Sequence, residues 1–151
     1  MKFDTNLKLE KKDFIFILFL FILITYLAFN ISGKAQNHII KSDGEGYYAW
    51  LPATFIYHDL EMNYIPEYVK THYDSAYWSF DFRNVINGKK VDKYFTGTAL
   101  LELPFFLVAY AFDSINNRAP TGYTLPYQYA VLISGLFYLL IACYSLILLA
   151  L

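Results

Sequence analysis

The sequence predicts an α-helical integral membrane protein with three transmembrane helices and a large outer loop that carries amphipathic juxtamembrane helices and a β-hairpin. Two observations lead to this prediction. The 151-residue chain is 57% hydrophobic and 21% aromatic, which is too apolar for an ordinary soluble domain of this length. Three long apolar runs also occur, and one extended segment of mixed polarity separates the first two.

The first predicted span covers residues 14–31, FIFILFLFILITYLAFNI. It reaches the roughly 18 to 20 residues that cross a hydrocarbon core. A cleaved signal peptide is the alternative, because four lysines precede the run, as in the basic start of a signal sequence: Lys2, Lys8, Lys11 and Lys12. No A-x-A cleavage pattern follows, and two further apolar segments lie downstream, so the sequence favours a membrane anchor.

The second and third predicted spans cover residues 96–112 and 127–151. The second is about 25 Å long by helical rise and contains Glu102 and Pro104. The third has only Gln128 and several hydroxyl groups as polar side chains, and the sequence stops within it. We therefore interpret residues 1–151 as the N-terminal part of a larger multi-span membrane domain.

The charge pattern predicts how the chain is oriented. Lysines before the first span place the N-terminus in the cytoplasm, and the predicted location is the plasma (inner) membrane. Residues 32–95 then form the outer loop, while residues 113–126, with Arg118 as their only full positive charge, return to the cytoplasmic side. A net charge of −1 provides no field for nucleic acid, so none is expected as a partner.

Two helices and a hairpin are predicted within the outer loop. Apolar residues recur near a 3.6-residue period from Tyr47 to Ile56, which indicates a short amphipathic helix lying on the membrane. A second helix begins at Pro66, an allowed first helical position, although its many tyrosines leave a strand as the alternative. The pair Asn87-Gly88 then predicts a two-residue hairpin turn, because both residues tolerate positive φ.

The hairpin register and the acidic residues indicate where chemistry lies. Counting outward from the turn, Arg83 opposes Asp92, so Asp92 either pairs with Arg83 in a surface contact worth under ~1 kcal/mol or serves a site. Asp43 and Glu45 follow the first span, and the glycines beside Glu45 allow a ligand to approach closely. Helix capping is the alternative role for these two carboxylates.

Several other chemistries lose support. Cys143 is the single cysteine of the sequence, which excludes an intrachain disulfide framework and CxxC-type metal chemistry. It lies inside an apolar run, and its simplest role is packing. His38, His58 and His72 lack the spacing of a zinc site. The sequence also contains no Gly-rich P-loop, no GxSxG motif and no Cys/His nucleophile arrangement, which disfavours soluble hydrolases and nucleotidases.

Two motifs resemble a known family. SDGEGYYAWLPATFIY, followed further on by DKYFTGTALLELPFF, resembles the first outer loop and second helix of GT-C fold integral membrane glycosyltransferases. That group contains protein mannosyltransferases and the aminoarabinose transferases of lipid A, and the resemblance covers essentially the whole chain. One departure is clear: relatives commonly have Lys-Tyr-Pro-x-Gly, whereas residues 93–97 read KYFTG and lack the proline.

The resemblance implies transfer of a sugar from a polyprenyl-phosphate donor to a lipid, glycan or protein acceptor at the outer membrane face. An inverting transfer needs a base for the acceptor hydroxyl, and the resemblance assigns this catalytic role to Asp43, with Glu45 in support. Asp92 matches the position that helps to hold a divalent metal, Mg or Mn, beneath the departing phosphate. The predicted substrate-binding residues are Lys93, Tyr47 and Tyr48.

Two other functions stay open at this stage. One is a transporter or flippase for lipid-linked glycans, in which Glu102 would be an intramembrane proton or substrate site. The other is a small noncatalytic membrane protein, if the chain is complete. The long water-facing loop and its acidic residues favour the enzyme over the transporter.

Overall fold

The computed structural model describes residues 11–34, 39–66 and 82–150. This part of the chain is mostly helical, as predicted. Its helices and strands, in order, are α1 (Lys11–Lys34), α2 (Asp43–Phe55), β1 (Arg83–Ile86), β2 (Lys89–Asp92), α3 (Gly97–Ile115) and α4 (Leu125–Ala150). The second amphipathic helix, predicted to begin at Pro66, lies almost wholly outside the described residues.

Two helices are long and apolar enough to cross a membrane, by length and composition. They are α3, over Gly97–Ile115, and α4, over Leu125–Leu146. In the described part of α1, the apolar stretch Ile17–Asn30 is shorter than a span. The three-span arrangement therefore stays a prediction. Most described side chains of α1 are exposed, and its Phe29 ring stacks on Tyr129 of α4 at a centroid distance of 5.8 Å.

Helix α2 forms at the predicted place and is covered on two faces. Asp43 and Glu45 lie in its first turn, where negative charge favours the helix N-terminus. One face, with Tyr48 and Leu51, packs against residues of α3 and α4. The other face packs its small Ala49 into a second cluster with the segment before the hairpin. The helix is therefore a central element of the fold, more deeply buried than a helix lying on a membrane surface.

The hairpin forms in the predicted register. Arg83 pairs with Asp92 across the two antiparallel strands, and the turn residues Asn87 and Gly88 have φ values of 52° and 80°. Two positive φ values are the signature of a type I′ turn. The Arg83 guanidinium donates a hydrogen bond of 2.7 Å to the carbonyl of Met62, which ties the hairpin to the segment that follows α2.

The loop between α3 and α4 lies against α2. Tyr48 donates its hydroxyl proton to the carbonyl of Gly122, and Tyr57 donates to the carbonyl of Thr121 at 3.0 Å. A Cβ atom at position 122 would lie 2.6 Å from Cβ of Pro52. These contacts place α2 beside residues 113–126, whereas the charge pattern predicts the two on opposite sides of the membrane, so the side on which each lies stays a prediction.

Candidate functional site

The predicted acidic residues lie at the ends of two elements. Asp43 is the first residue of α2 and is exposed. Glu45 lies two residues later in the same helical turn and is half-buried. Asp92 is the last residue of β2, with only 6% of its surface exposed. A helix start and a strand end thus each present a carboxylate.

Tyr94 connects the two acidic positions. Its hydroxyl donates a hydrogen bond of 2.5 Å to Oδ1 of Asp43, and its backbone N–H donates one of 2.8 Å to Oδ1 of Asp92. The carboxylates that the sequence places in different segments are therefore joined through one residue. We call these three residues the Asp43–Tyr94–Asp92 bridge.

One face of α2 holds the Tyr94 ring. A Cβ atom on Gly46 would lie 2.7 Å from Cε2 of Tyr94 and would overlap the ring further along its edge. The Tyr47 ring packs beside it at a centroid distance of 4.5 Å. The indole N–H of Trp50 donates to the Tyr94 carbonyl at 3.1 Å. With Asp43, these positions have the i, i+3, i+4, i+7 spacing of one helix face.

The two glycines predicted to admit a ligand have different roles. Gly46 gives its space to the Tyr94 ring, so the close approach there is internal to the protein. Gly44 has no other atom within 4 Å of a Cβ built on it, so the surface beside Asp43 stays open. Access to the site is therefore next to Asp43 and Gly44.

Burial changes the proton affinity of two carboxyl groups. It raises the pKa of Glu45 from 4.5 to about 7. Burial also raises the pKa of Asp92 to about 6, although the N–H of Tyr94 and the nearby charge of Lys93 act in the opposite direction. Glu45 is thus suited to exchange a proton near neutral pH.

The hydroxyl of Tyr94 is held in its protonated form. Its hydrogen bond to Asp43 raises the pKa of Tyr94 to about 12, because a phenolate beside that carboxylate would be repelled. The phenol therefore acts as a donor over the physiological range. One oxygen of Asp43 is thereby fixed in direction, and the carboxylate keeps further acceptor capacity toward solvent.

The three predicted substrate-binding residues lie in different environments. Lys93 is exposed, with its ammonium 5.2 Å from the centroid of the Tyr94 ring. Tyr47 is half-buried on the Tyr94 side of α2. Tyr48 is 1% exposed, and its ring packs edge-on against Phe106 and Tyr123. Lys93 and Tyr47 are thus brought to the bridge, whereas Tyr48 lies in the core.

The described residues offer a poor donor set for a divalent metal. In the described ranges, no three His, Cys, Asp or Glu side chains form a group that could hold one. Asp92 contributes one buried oxygen, Oδ2, that has no hydrogen-bond partner among these residues, and its other oxygen is bound to Tyr94. Mg²⁺ and Ca²⁺ prefer about six oxygen ligands, so the metal role of Asp92 stays a prediction.

Tyr94 is the site residue that sequence reasoning missed. Its segment is notable in the sequence only for the missing proline, whereas the structure places its ring against Asp43 and Gly46. The sequence signal for this contact was Gly46 on the predicted face of α2, because a glycine leaves room for a large ring.

Glu102 lies half-buried in α3, and its Oε2 has no hydrogen-bond partner within the described part of the chain.

No family model, curated protein or solved structure matches this chain. The resemblance to GT-C glycosyltransferases therefore rests on the two sequence motifs, and the function follows as a proposal from those motifs and the geometry.

Proposed function

We propose that this protein functions as a membrane glycosyltransferase that moves a sugar from a polyprenyl-phosphate donor to an acceptor hydroxyl. One observation carries the proposal: the Asp43–Tyr94–Asp92 bridge joins the two acidic motifs that such an enzyme needs near each other. The open surface beside Gly44 gives the acceptor a route to Asp43. A divalent metal, Mg or Mn, is not required by this part of the proposal.

The proposed reaction assigns a separate role to each residue. The Asp43 carboxylate accepts the acceptor's hydroxyl proton, while the acceptor oxygen forms a bond to the anomeric carbon of the sugar. The bond from that carbon to the phosphate oxygen breaks, and the polyprenyl phosphate leaves with the electron pair. Lys93, exposed beside the bridge, provides positive charge for that leaving phosphate. Tyr94 holds the carboxylate of Asp43 in position.

The contacts of α2 support an arrangement at one face of the membrane. The side of α2 away from α3 packs against the segment at residues 59–66, where Lys90 donates to Asn63 and its backbone N–H donates to Glu61. Charged groups inside hydrocarbon are costly, so this side favours water. We propose that this side of α2 and the hairpin lie in water at the outer face of the membrane.

A transfer assay with the full-length protein tests the function. Membranes that contain it are incubated with a panel of radiolabelled polyprenyl-phosphate sugars, and label in the acceptor is measured. Asp43→Asn keeps the shape and loses the basicity, so turnover is expected to fall by roughly 10²-fold or more while donor binding changes much less. Glu45→Gln is expected to cost about tenfold or less.

The matched control is Glu61→Gln, because the amide keeps an oxygen that accepts the N–H of Lys90. It is expected to leave turnover near the wild-type value. Transfer at a wild-type rate by correctly inserted Asp43→Asn protein would overturn the assignment of the base.

A second candidate function, transport of a lipid-linked glycan, is favoured by one observation only. The Oε2 atom of Glu102 is buried without a hydrogen-bond partner among the described residues. Proteoliposomes loaded with a fluorescent lipid-linked glycan distinguish the two functions: transport that is lost in Glu102→Gln supports the transporter, and transfer that is lost in Asp43→Asn supports the enzyme.

A further inference from the structure

A groove between the C-terminal half of α3 and the N-terminal half of α4 has a volume of about 530 Å³. This lies within the range of pockets that bind small molecules, about 300–1,000 Å³. Its walls are apolar and aromatic, and they include Phe105, Val108, Phe112, Tyr129 and Ile133. No acidic residue lines it. Because Val108 is 71% exposed, the groove opens outward rather than toward α2.

The single charged residue of the groove is Arg118, in the loop that joins the two helices. Its guanidinium lies 6.0 Å from the centroid of the Phe112 ring, which places the charge at the apolar wall. Arg118 is exposed, and its backbone N–H caps the end of α3 by donating to the carbonyl of Asp113. Within the part of the chain that the structure describes, its side chain has no carboxylate partner.

This arrangement is that of a site for an amphiphile with a negative head. A guanidinium at one end recognises a phosphate through charge-assisted, often bidentate hydrogen bonds. The apolar walls beyond it offer contact for a hydrocarbon chain. Tyr129 at the wall is a residue type enriched where membranes meet water.

We propose that this groove binds one membrane phospholipid whose headgroup is net negative, with its phosphate at Arg118 and an acyl chain along α3 and α4. The site is distinct from the Asp43–Tyr94–Asp92 bridge and does not depend on the sugar transfer. Charge complementarity selects a lipid over a second protein helix, because a helix with an apolar face would leave the Arg118 charge without a partner at the end of the groove.

Native mass spectrometry of the full-length protein tests this site. Protein purified in detergent is equilibrated with phosphatidylglycerol or with phosphatidylcholine that has identical acyl chains. We expect retention of one phosphatidylglycerol per protein in preference to phosphatidylcholine. Arg118→Gln should reduce that preference by roughly tenfold or more, as loss of a charge-assisted contact predicts. Val108→Trp, which fills the groove, should reduce retention of both lipids.

Two control variants make the same kinds of substitution outside the groove. Lys89→Gln removes one positive charge from the exposed hairpin, and Leu100→Trp adds the same bulk to an exposed position of α3 that does not line the groove. Both should retain phosphatidylglycerol as the unchanged protein does. Equal retention of the two lipids, an unaffected Arg118→Gln variant, or dimers that crosslink through Val108→Cys would each overturn the proposal.

Discussion

The phenol of Tyr94 and the carboxylate of Asp43 are joined by a hydrogen bond of 2.5 Å between residues 51 positions apart in the sequence. The same tyrosine binds Asp92 through its backbone N–H. One residue thus sets the relation between a helix start and a strand end. A substitution of Tyr94 should therefore alter the orientation of the Asp43 carboxylate while residue 43 itself is unchanged.

Removal of that hydroxyl is the most direct test of the bridge. Tyr94→Phe keeps the ring against Gly46 and removes the hydrogen bond from the phenol to the Asp43 carboxylate. We expect kcat of the full-length enzyme to fall about tenfold or more, with KM for the donor little changed. The control is Tyr57→Phe, which removes a different hydroxyl, the one bound to the Thr121 carbonyl. Equal kcat values for the two variants would exclude a positioning role for Tyr94.

The glycines of α2 offer a matched pair of variants. In Gly46→Ala the new methyl group overlaps the Tyr94 ring, so the ring or the helix must shift, at a cost of about 1–3 kcal/mol in unfolding free energy. In Gly44→Ala the methyl group meets open space, and helix propensity favours alanine by up to about 1 kcal/mol. Denaturant unfolding in detergent measures both. Equal effects of the two substitutions would show that Tyr94 does not pack on α2.

Stability should depend on pH through Glu45. Its folded-state pKa of about 7 lies above the ordinary 4.5, so the folded state binds the proton more tightly than the unfolded state does. The resulting stabilisation is fully present below pH 4.5 and is lost as pH rises through about 7. Asp92, raised to about 6, acts with the same sign.

Glu45→Gln removes the larger of these effects. The variant should be more stable than the unchanged protein at pH 8, by about 1–2 kcal/mol after allowance for partial solvent exposure, with a flatter profile between pH 4.5 and 7. Unfolding followed by tryptophan fluorescence across pH 4–8 measures this difference. An unchanged pH profile in Glu45→Gln would rule out the raised pKa of Glu45.

The position of the loop between α3 and α4 can be measured in intact cells. In a Cys143→Ser background, single cysteines are placed in the hairpin, Asn84→Cys, and in the loop, Ala119→Cys, both exposed positions. We expect both to react with a membrane-impermeant maleimide added from outside, because α2 packs on the residues that flank the hairpin and lies against the loop. Labelling of one and protection of the other would instead place the hairpin and the loop on opposite sides of the membrane.

Local patterns predicted the elements that depend on neighbouring residues. The Asn87-Gly88 pair gave the hairpin and its register, because the two φ values of a type I′ turn are set within the turn itself. The apolar period gave α2. The contact of Tyr94 with Asp43 could not be predicted from the sequence, because it joins segments that are distant in sequence and depends on the space that Gly46 leaves for the ring.

The packing of the α3–α4 loop against α2 also could not be predicted from the sequence. A hydropathy pattern counts the apolar residues of α3 without distinguishing those that face lipid from those that α2 covers. Phe106 and Ala109 of α3 are buried in the cluster that contains Tyr48, so part of the apolar signal of this helix comes from the protein core. The hydrogen bonds to Thr121 and Gly122 then place the loop beside α2.

Two constraints, one of backbone conformation and one of packing, require glycine at position 122. Its φ of 83° belongs to the left-handed region, and a Cβ there would meet Pro52 at 2.6 Å, so both backbone and packing require hydrogen as the side chain. Gly46 meets only the packing requirement, which the Tyr94 ring imposes. Gly46 and Gly122 each accommodate the ring of a residue that is distant in the sequence, and the two pairs form a sequence signature of this fold. Distant relatives that share this fold should carry Gly46 with Tyr94 and Gly122 with Pro52 even where little else in the sequence is the same.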